Sequence, residues 1–360
     1  MTEAGRAAGG PADGGAAPSP AGPVERLTDL GFAAGWSVVR GLPEWAAERA
    51  FRTAADVAYR RRGPAVVQLA RNLRRVLGPR ATPETLAVTV RDGMRSYARY
   101  WRETFRLPAM DLDAVAASVA ATTFGGEYIE RARREGRGVV LTVPHAGNWD
   151  IAGLWVTRNF GPLTTVVERL KPETLYDKFV AYRESLGMEI LPLTGGVPPA
   201  QILRERLTAG GIIALVGDRD LSANGIPVSF FGEPARFPAG PAMLAALTDS
   251  YLCPTDLSFR PGGWVQHIHP PLTLAGTRLA EQVRSGAQQI ADTFERGIAA
   301  NPADWHMLQP FWPADFPAGH PGAMPVRLPA GAGRAAGAGP GAGLRTGADV
   351  GTGAGAGSAG

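Results

Sequence analysis

The second half of the sequence alternates between short apolar runs and amphipathic segments, and this alternation is the strongest constraint on the fold. From residue 136 onward, runs rich in β-branched residues and bounded by Gly or Pro predict strands, and the segments between them predict helices. The predicted strands are 139–143, 163–168, 189–193, 212–216, 227–231, 253–259 and 264–269. The predicted helices lie near 149–160, 173–187, 198–209, 238–249 and 278–300. This pattern is typical of an α/β domain, with a largely parallel central sheet flanked by helices and ligands bound beyond the strands' carboxyl ends.

An N-terminal helical segment is predicted for residues 24–107, where apolar residues recur at helical spacing. The predicted helices are 27–40, 44–62, 65–77 and 83–105. Residues 24–106 contain 16 arginines against 8 acidic residues, a net charge of +8, whereas the whole chain carries only +4. The aromatic residues of this segment are Trp36, Trp45, Tyr59, Tyr97, Tyr100 and Trp101. Aromatic, basic helices can lie on an anionic membrane surface; a helical core with solvated arginines is the alternative. No nucleic-acid-binding motif accompanies the charge, so a nucleic-acid partner is not expected.

Both ends of the chain differ in composition from the rest. Residues 1–22 and 328–360 are rich in Gly, Ala and Pro and poor in large apolar residues, which predicts disordered tails around a single domain at 23–327. Cys253 is the only cysteine, which excludes an internal disulfide and fits a reducing cytosol. No signal-peptide pattern and no run of ~20 apolar residues occurs, so a cytosolic or peripheral protein is expected.

A candidate catalytic pair follows the predicted strand 139–143. Pro144 ends the apolar run, and His145 and Asp150 stand five positions apart. Within one regular helix, five steps of ~100° would turn these side chains in different directions, so they can meet only if His145 precedes the helix and Asp150 lies in its first turn. Gly147 and Asn148 are suited to the turn and the N-cap that this arrangement needs. Asp150 would then fix the tautomer of His145 and leave the other ring nitrogen as a base; a plain structural histidine–carboxylate pair is the alternative.

A second group of charged residues follows the predicted strand 212–216. The strand ends at Gly217 and is followed at once by Asp218, Arg219 and Asp220. Charged residues directly after a buried strand are candidates for a functional site, although they also serve solubility.

Two histidines, His267 and His269, alternate in the predicted strand 264–269 and therefore share a face. Two histidines alone are a weak metal signal, and the sequence predicts no metal site.

The stretch Pro144-His-Ala-Gly-Asn-Trp-Asp150 resembles the His-x-x-x-x-Asp block of the bacterial lipid A biosynthesis acyltransferase family. It is most similar to the actinobacterial branch, the phosphatidylinositol mannoside acyltransferases. Blocks at 217–233 and 302–312 support the resemblance, which runs from about residue 24 to residue 315.

The resemblance implies roles for particular residues. His145 would be the general base, with Asp150 and Asp218 orienting it. Asp218 is one methylene shorter than the glutamate usual in that branch, so its reach to His145 is a question for the structure. Residues that the resemblance or their position suggests for substrate binding are Glu168, Arg183, Arg219, Arg236 and His306.

The function implied is an acyl-CoA-dependent O-acyltransferase acting on a mannose hydroxyl of a phosphatidylinositol mannoside. The implied partners are acyl-CoA, used as a substrate with no cofactor, a glycolipid acceptor, and the anionic surface of the cytoplasmic membrane face. The alternatives are another glycolipid or lysolipid acceptor, a thioesterase-like hydrolase, and a non-enzymatic lipid-binding protein.

Overall fold

The computed structural model describes residues 38–168, 173–194, 197–220, 225–326 and 328. The predicted tails at 1–22 and, apart from residue 328, at 328–360 lie outside the described residues. So does most of the predicted helix 27–40, of which residues 38–40 are described and are helical.

Three long helices follow, close to the predicted positions. They are α1 (Glu44–Arg61), α2 (Pro64–Leu77) and α3 (Pro83–Arg106). Proline at the first position of α2 and α3 suits a helix start, where its missing N–H needs no partner. The three helices pack around a small core that includes Leu69, Leu73, Val90 and Met94. Within the described residues, no helix combines the length and apolar character needed to cross a bilayer.

The seven-stranded sheet confirms the predicted α/β class with its largely parallel order. The strands in chain order are β1 (Thr123–Phe124), β2 (Val139–Val143), β3 (Leu163–Val167), β4 (Met188–Pro192), β5 (Ile212–Val216), β6 (Ile226–Phe230), β7 (Glu233–Phe237), β8 (Tyr251–Arg260) and β9 (Gly263–Ile268). The main sheet has the order β1-β9-β8-β2-β5-β3-β4, with only the β8–β9 pair antiparallel. Every residue of β2 is buried, because this strand lies at the centre of the sheet.

Seven further helices accompany the sheet among the described residues. They are α4 (Leu112–Ala120), α5 (Gly126–Arg134), α6 (Trp149–Phe160), α7 (Glu173–Ser185), α8 (Pro199–Thr208), α9 (Gly240–Thr248) and α10 (Leu279–Ala300). The last five match predicted helices to within two residues, whereas α4 and α5 were not predicted. Separate apolar clusters pack against the sheet, one with α9 and α10 and the other with α4, α6 and α7.

The predicted strand 227–231 does not join the main sheet, which corrects the prediction from alternation. As β6 it pairs with β7 in a separate two-stranded antiparallel hairpin, and residues 233–237, which lie outside the predicted strands and helices, form that second strand. The cause is the two-residue turn at Phe231 and Gly232, whose φ angles are 51° and 77°. Positive φ at both central positions is the turn geometry that closes a tight hairpin.

The register of the two central strands determines where the predicted site residues meet. β2 and β5 are parallel, with Val143 opposite Val216. Continuing that register by two residues brings His145 level with Asp218. The N–H of Gly217 still donates to the carbonyl of Val143 at 2.8 Å, so the strands remain paired up to the site.

Candidate active site

His145 and Asp218 form a hydrogen-bonded pair at the carboxyl ends of β2 and β5. The Nδ1 atom of His145 lies 2.5 Å from Oδ1 of Asp218, and the backbone N–H of His145 donates to Oδ2 of the same carboxylate at 2.9 Å. Asp218 therefore reaches His145 although it is shorter than glutamate. The carboxylate holds the proton of the neutral ring on Nδ1, which leaves Nε2 as the unprotonated nitrogen.

The Asp218 side chain is completely buried and has a third hydrogen-bond donor, Nε1 of Trp305, 2.9 Å from Oδ2. Burial alone would raise the pKa of this carboxyl. The charge interaction with His145, together with the hydrogen bonds from His145 and Trp305, instead lowers the pKa of Asp218 below its ordinary value. Asp218 is therefore an ionised carboxylate at neutral pH and can stabilise a protonated His145.

Asp150 does not make the predicted hydrogen bond to His145. It lies in the first turn of α6 as expected, with Asn148 as the N-cap accepting from the N–H groups of Asp150 and Ile151, both at 3.2 Å. Its carboxylate is instead bonded to Arg183 of α7, with Nε 2.7 Å from Oδ1. The prediction paired residues close in sequence, whereas Nδ1 of His145 is already occupied by Asp218 across the sheet.

The Asp150–Arg183 pair lies almost entirely out of solvent. The side chain of Asp150 is completely buried and that of Arg183 is 13% exposed. Burial alone would lower the pKa of Arg183, but the charge and hydrogen bonds of Asp150 raise it above its ordinary value, so the pair is ionic. Burial, with the negative charge of Asp150, also raises the pKa of the neighbouring Tyr100. Asp150 thus fixes an arginine at the site and does not contact the base directly.

The loop at His145 is held by a segment from the far end of the domain. Ala146 and Trp305 form an isolated antiparallel bridge, the N–H of His306 donates to the carbonyl of His145 at 2.7 Å, and the N–H of Gly147 donates to the carbonyl of Asp304 at 3.1 Å. Gly147 has a φ of 57°, and a Cβ here would lie 2.8 Å from the backbone of Leu257, so only glycine suits this position. The segment 304–306 therefore positions both His145 and its carboxylate partner.

His306 is a buried neutral histidine beside the pair. Ser96 donates its one hydroxyl proton to Asp304 at 2.7 Å, so it accepts from Nε2 of His306 at 2.9 Å, and Nδ1 of His306 carries the lone pair. Burial, with the effect of His145, lowers the pKa of His306 to about 3. Nδ1 has no hydrogen-bond partner among the described residues, so it offers an acceptor inside the protein.

A cavity of about 190 Å³ brings these groups together. Four of the predicted residues line it: His145, Arg183, Arg219 and His306. Its other described lining residues are Tyr97, Tyr100, Trp101, Trp149, Phe179 and Gln309. The combination is a base at the wall of an aromatic cavity that also contains two guanidinium groups.

Three of the aromatic residues predicted for a membrane surface belong to this cavity. Tyr97, Tyr100 and Trp101 of α3 line it, and Tyr100 packs against Trp149 with ring centroids 4.5 Å apart. Sequence periodicity showed that these rings share a helix but not what the helix faces. Among the aromatic residues of the N-terminal segment that the structure describes, only Trp45 is strongly exposed, at 71%.

Two of the predicted substrate-binding residues are not brought to the cavity. Glu168 is exposed at the end of β3, and Arg236 of β7 donates to the carbonyl of Met324 at 3.2 Å. Neither is among the described residues that line the cavity.

Sequence reasoning missed Trp305, Ser96 and Asp304. Trp305 and Asp304 belong to the recognised block at 302–312, from which only the histidine was chosen, so a signal was available. Ser96 is one polar residue in a long helix and had no signal of its own.

Comparisons with known proteins identify the family of this chain. The sequence matches the family described as bacterial lipid A biosynthesis acyltransferase over residues 22–313. It is 49% identical over 294 residues to a protein of Mycolicibacterium smegmatis named phosphatidylinositol mannoside acyltransferase. The aligned residues make up 81% of this chain and 93% of that protein. It is 47% identical over 292 residues to a protein of the same name from Mycobacterium tuberculosis, covering 80% of this chain and 90% of that protein. The chain therefore belongs to the bacterial lipid A biosynthesis acyltransferase family and is an acyltransferase.

Proposed function

We propose that this chain transfers a fatty acyl group from acyl-CoA to a mannose hydroxyl of a phosphatidylinositol mannoside, at the cytoplasmic face of the membrane. The observation that carries the proposal is the His145–Asp218 pair opening on a cavity that contains aromatic and cationic side chains. The acceptor is suggested by the names of the two relatives, which share about half of their residues with this chain.

The chemistry follows from the protonation pattern of the pair. Nε2 of His145 takes the proton of the acceptor hydroxyl as that oxygen attacks the thioester carbonyl carbon. The new C–O bond forms, the C–S bond breaks, and the proton passes from His145 to the departing CoA thiolate. Asp218 keeps the ring in the required tautomer and stabilises the imidazolium between these steps. The transfer is direct, since no acyl-enzyme is needed when the hydroxyl itself attacks.

Recognition of a polar acceptor is assigned to the groups around His145. Arg183 is held in the cavity wall by Asp150, so its position is set before a substrate arrives. Nδ1 of His306 can accept a hydrogen bond from a sugar hydroxyl, which would satisfy a buried nitrogen that has no described partner. Glu168 and Arg236 remain predicted substrate contacts that lie outside this cavity.

The decisive experiment measures acyl transfer by purified protein from palmitoyl-CoA, with and without phosphatidylinositol mannosides. The His145→Ala variant should lose turnover by a factor of ~10² to 10⁴, because it removes the general base. His320→Ala, at a histidine that is exposed and remote in sequence, is the matched control and should retain activity. Parent-like turnover by a folded His145→Ala protein would contradict the mechanism. CoA release without acceptor would identify a thioesterase, and transfer only to other lipids would identify another acceptor.

Membrane docking is proposed through the N-terminal helices. The arginine run 60–62 at the end of α1 is exposed, and so is Trp45 at its start. Each arginine near an anionic surface is worth roughly 1 kcal/mol, so the interaction should be reversible and weakened by salt.

Vesicle co-sedimentation tests this docking surface. Replacing the arginine run 60–62 by glutamine should reduce binding to phosphatidylinositol vesicles and activity on them, while activity on a water-soluble mannoside is spared. The matched control is Arg133→Gln with Arg134→Gln, an exposed basic pair on α5. Equal binding to neutral and anionic vesicles, or equal losses in both variants, would exclude this surface.

A further inference from the structure

We propose that Asp256, His267 and His269 form a binding site for a divalent transition-metal ion such as Zn²⁺, separate from the catalytic cavity. One ligand atom from each side chain lies within 4.8 Å of the other two. None of the three residues lines the cavity that contains His145. No metal site was predicted from the sequence, because only the two histidines of one strand were recognised. The third ligand, Asp256, comes from the neighbouring strand β8.

The β8–β9 hairpin creates the cluster. The two strands are antiparallel, with Asp256 directly opposite His267. Directly opposed residues point to the same face, with Cβ atoms about 4.5–5.5 Å apart. His269 follows two positions later, and its N–H donates to the carbonyl of Pro254 at 2.8 Å, which extends the strand pairing and keeps its side chain on that face.

The side chains are already close to one another. Nε2 of His269 is 2.7 Å from Oδ2 of Asp256, and the ring centroids of the two histidines are 4.2 Å apart. The other carboxylate oxygen, Oδ1 of Asp256, is buried and has no hydrogen-bond partner among the described residues. A buried carboxylate oxygen without a donor is costly, and a cation held by both oxygens of the carboxylate would satisfy it.

The neighbouring helix leaves room for the carboxylate. Gly297 of α10 faces Asp256, and a Cβ at this position would lie 2.3 Å from Oδ1. The exposed carboxylate of Glu127 acts electrostatically on His267 and adds negative charge near the cluster. The surroundings of the cluster therefore favour a cation.

Two imidazoles and one carboxylate are a ligand set suited to Zn²⁺, with a fourth position open to water. Tetrahedral bonds of about 2.0–2.1 Å place ligand atoms roughly 3.3 Å apart. The separations here extend from 2.7 Å to within 4.8 Å, so side-chain rotation, chiefly of the exposed His267, is enough to close the site. A bound ion would link the two strands of the hairpin. Strand β8 also contacts the active-site region, because the N–H of Phe259 in this strand donates to Asp304.

The test uses full-length protein treated with EDTA and then titrated with Co²⁺ or Zn²⁺. Co²⁺ should produce the visible absorption of a tetrahedral site with a single equivalent bound. Saturating Zn²⁺ should raise the Tm by roughly 5 °C or more, as expected for a ligand that binds only the folded state. Neither readout depends on acyl transfer, so the result is independent of the proposed function.

Variants at the ligands give the comparison. His267→Gln and His269→Gln should each weaken binding on the order of 10²-fold, and Asp256→Asn should do likewise. His320→Gln, a substitution at another exposed histidine, is the matched control and should bind as the parent does. Because His267 is exposed, its variant should fold normally and remains informative if Asp256→Asn does not fold. Absence of saturable binding by the parent, or equal binding by His267→Gln and the parent, would overturn the proposal.

Discussion

Asp218→Asn is the substitution that most sharply tests the catalytic pair. The carboxylate accepts three hydrogen bonds: Oδ1 from Nδ1 of His145, and Oδ2 from the backbone N–H of His145 and from Nε1 of Trp305. An asparagine of the same shape has one acceptor oxygen and one NH₂ group. The backbone and indole N–H groups are always donors, so the amide oxygen should stay with them and the NH₂ should face Nδ1.

That orientation determines the effect on catalysis. The imidazole alone can adapt, by moving its proton from Nδ1 to Nε2, and Nε2 then cannot accept the proton of the acceptor hydroxyl. In a serine-protease triad, the corresponding Asp-to-Asn change lowers kcat by ≈10⁴ through the wrong tautomer. We expect kcat here to fall by about 10³ to 10⁴, equivalent to roughly 4–5.5 kcal/mol in the activation free energy.

The assay is steady-state acyl transfer, with Tm measured on the same preparations. The KM for acyl-CoA should change by less than about twofold, since Asp218 is completely buried and does not line the cavity, so the loss belongs to kcat. Asp218→Glu keeps the carboxylate and should retain far more activity than Asp218→Asn. Turnover by folded Asp218→Asn within about threefold of the parent would show that Asp218 does not control the tautomer of His145. Equal inactivity of Asp218→Glu and Asp218→Asn would show the same.

Two further predictions concern stability. His306 is neutral in the fold because burial lowers its pKa to about 3, whereas the unfolded chain binds a proton near the ordinary value of 6.5. Its contribution to the unfolding free energy should therefore be lost as pH falls from about 6.5 towards 3, by up to about 1.4 kcal/mol per pH unit. Urea unfolding at pH 7 and pH 5 should show a smaller pH effect for His306→Asn than for the parent, and equal pH effects would contradict this. Removing one partner of the buried ion pair, as in Asp150→Ala or Arg183→Ala, should cost about 3–5 kcal/mol, seen as a lower Tm. The double variant should lose much less than the two single losses added together, and simple additivity would show that the pair is not coupled.

The sequence by itself determined most of the elements of the structure and the position of the base. Alternating apolar runs, with Gly and Pro at their ends, located six of the seven strands of the main sheet and most of the helices, because these signals act within a few neighbouring residues. The two-residue strand β1 was not predicted. The same local signals placed His145 between strand and helix, with Asn148 as the N-cap. The residues next to His145 in the sequence are enough to predict the change from strand to helix, and the structure confirms it.

The tertiary structure decided which residues are partners. Asp218 lies 73 positions after His145, and only the in-phase register of β2 and β5 brings the two together, whereas the nearer Asp150 turns to Arg183 on another helix. Likewise, the hairpin pairing of β8 with β9 joins Asp256 to His267 and His269. Side-chain partners of this kind depend on strand pairing and helix packing between distant segments. Those contacts are absent from any short window of sequence, which is why periodicity found the site's strand ends and not its hydrogen bonds.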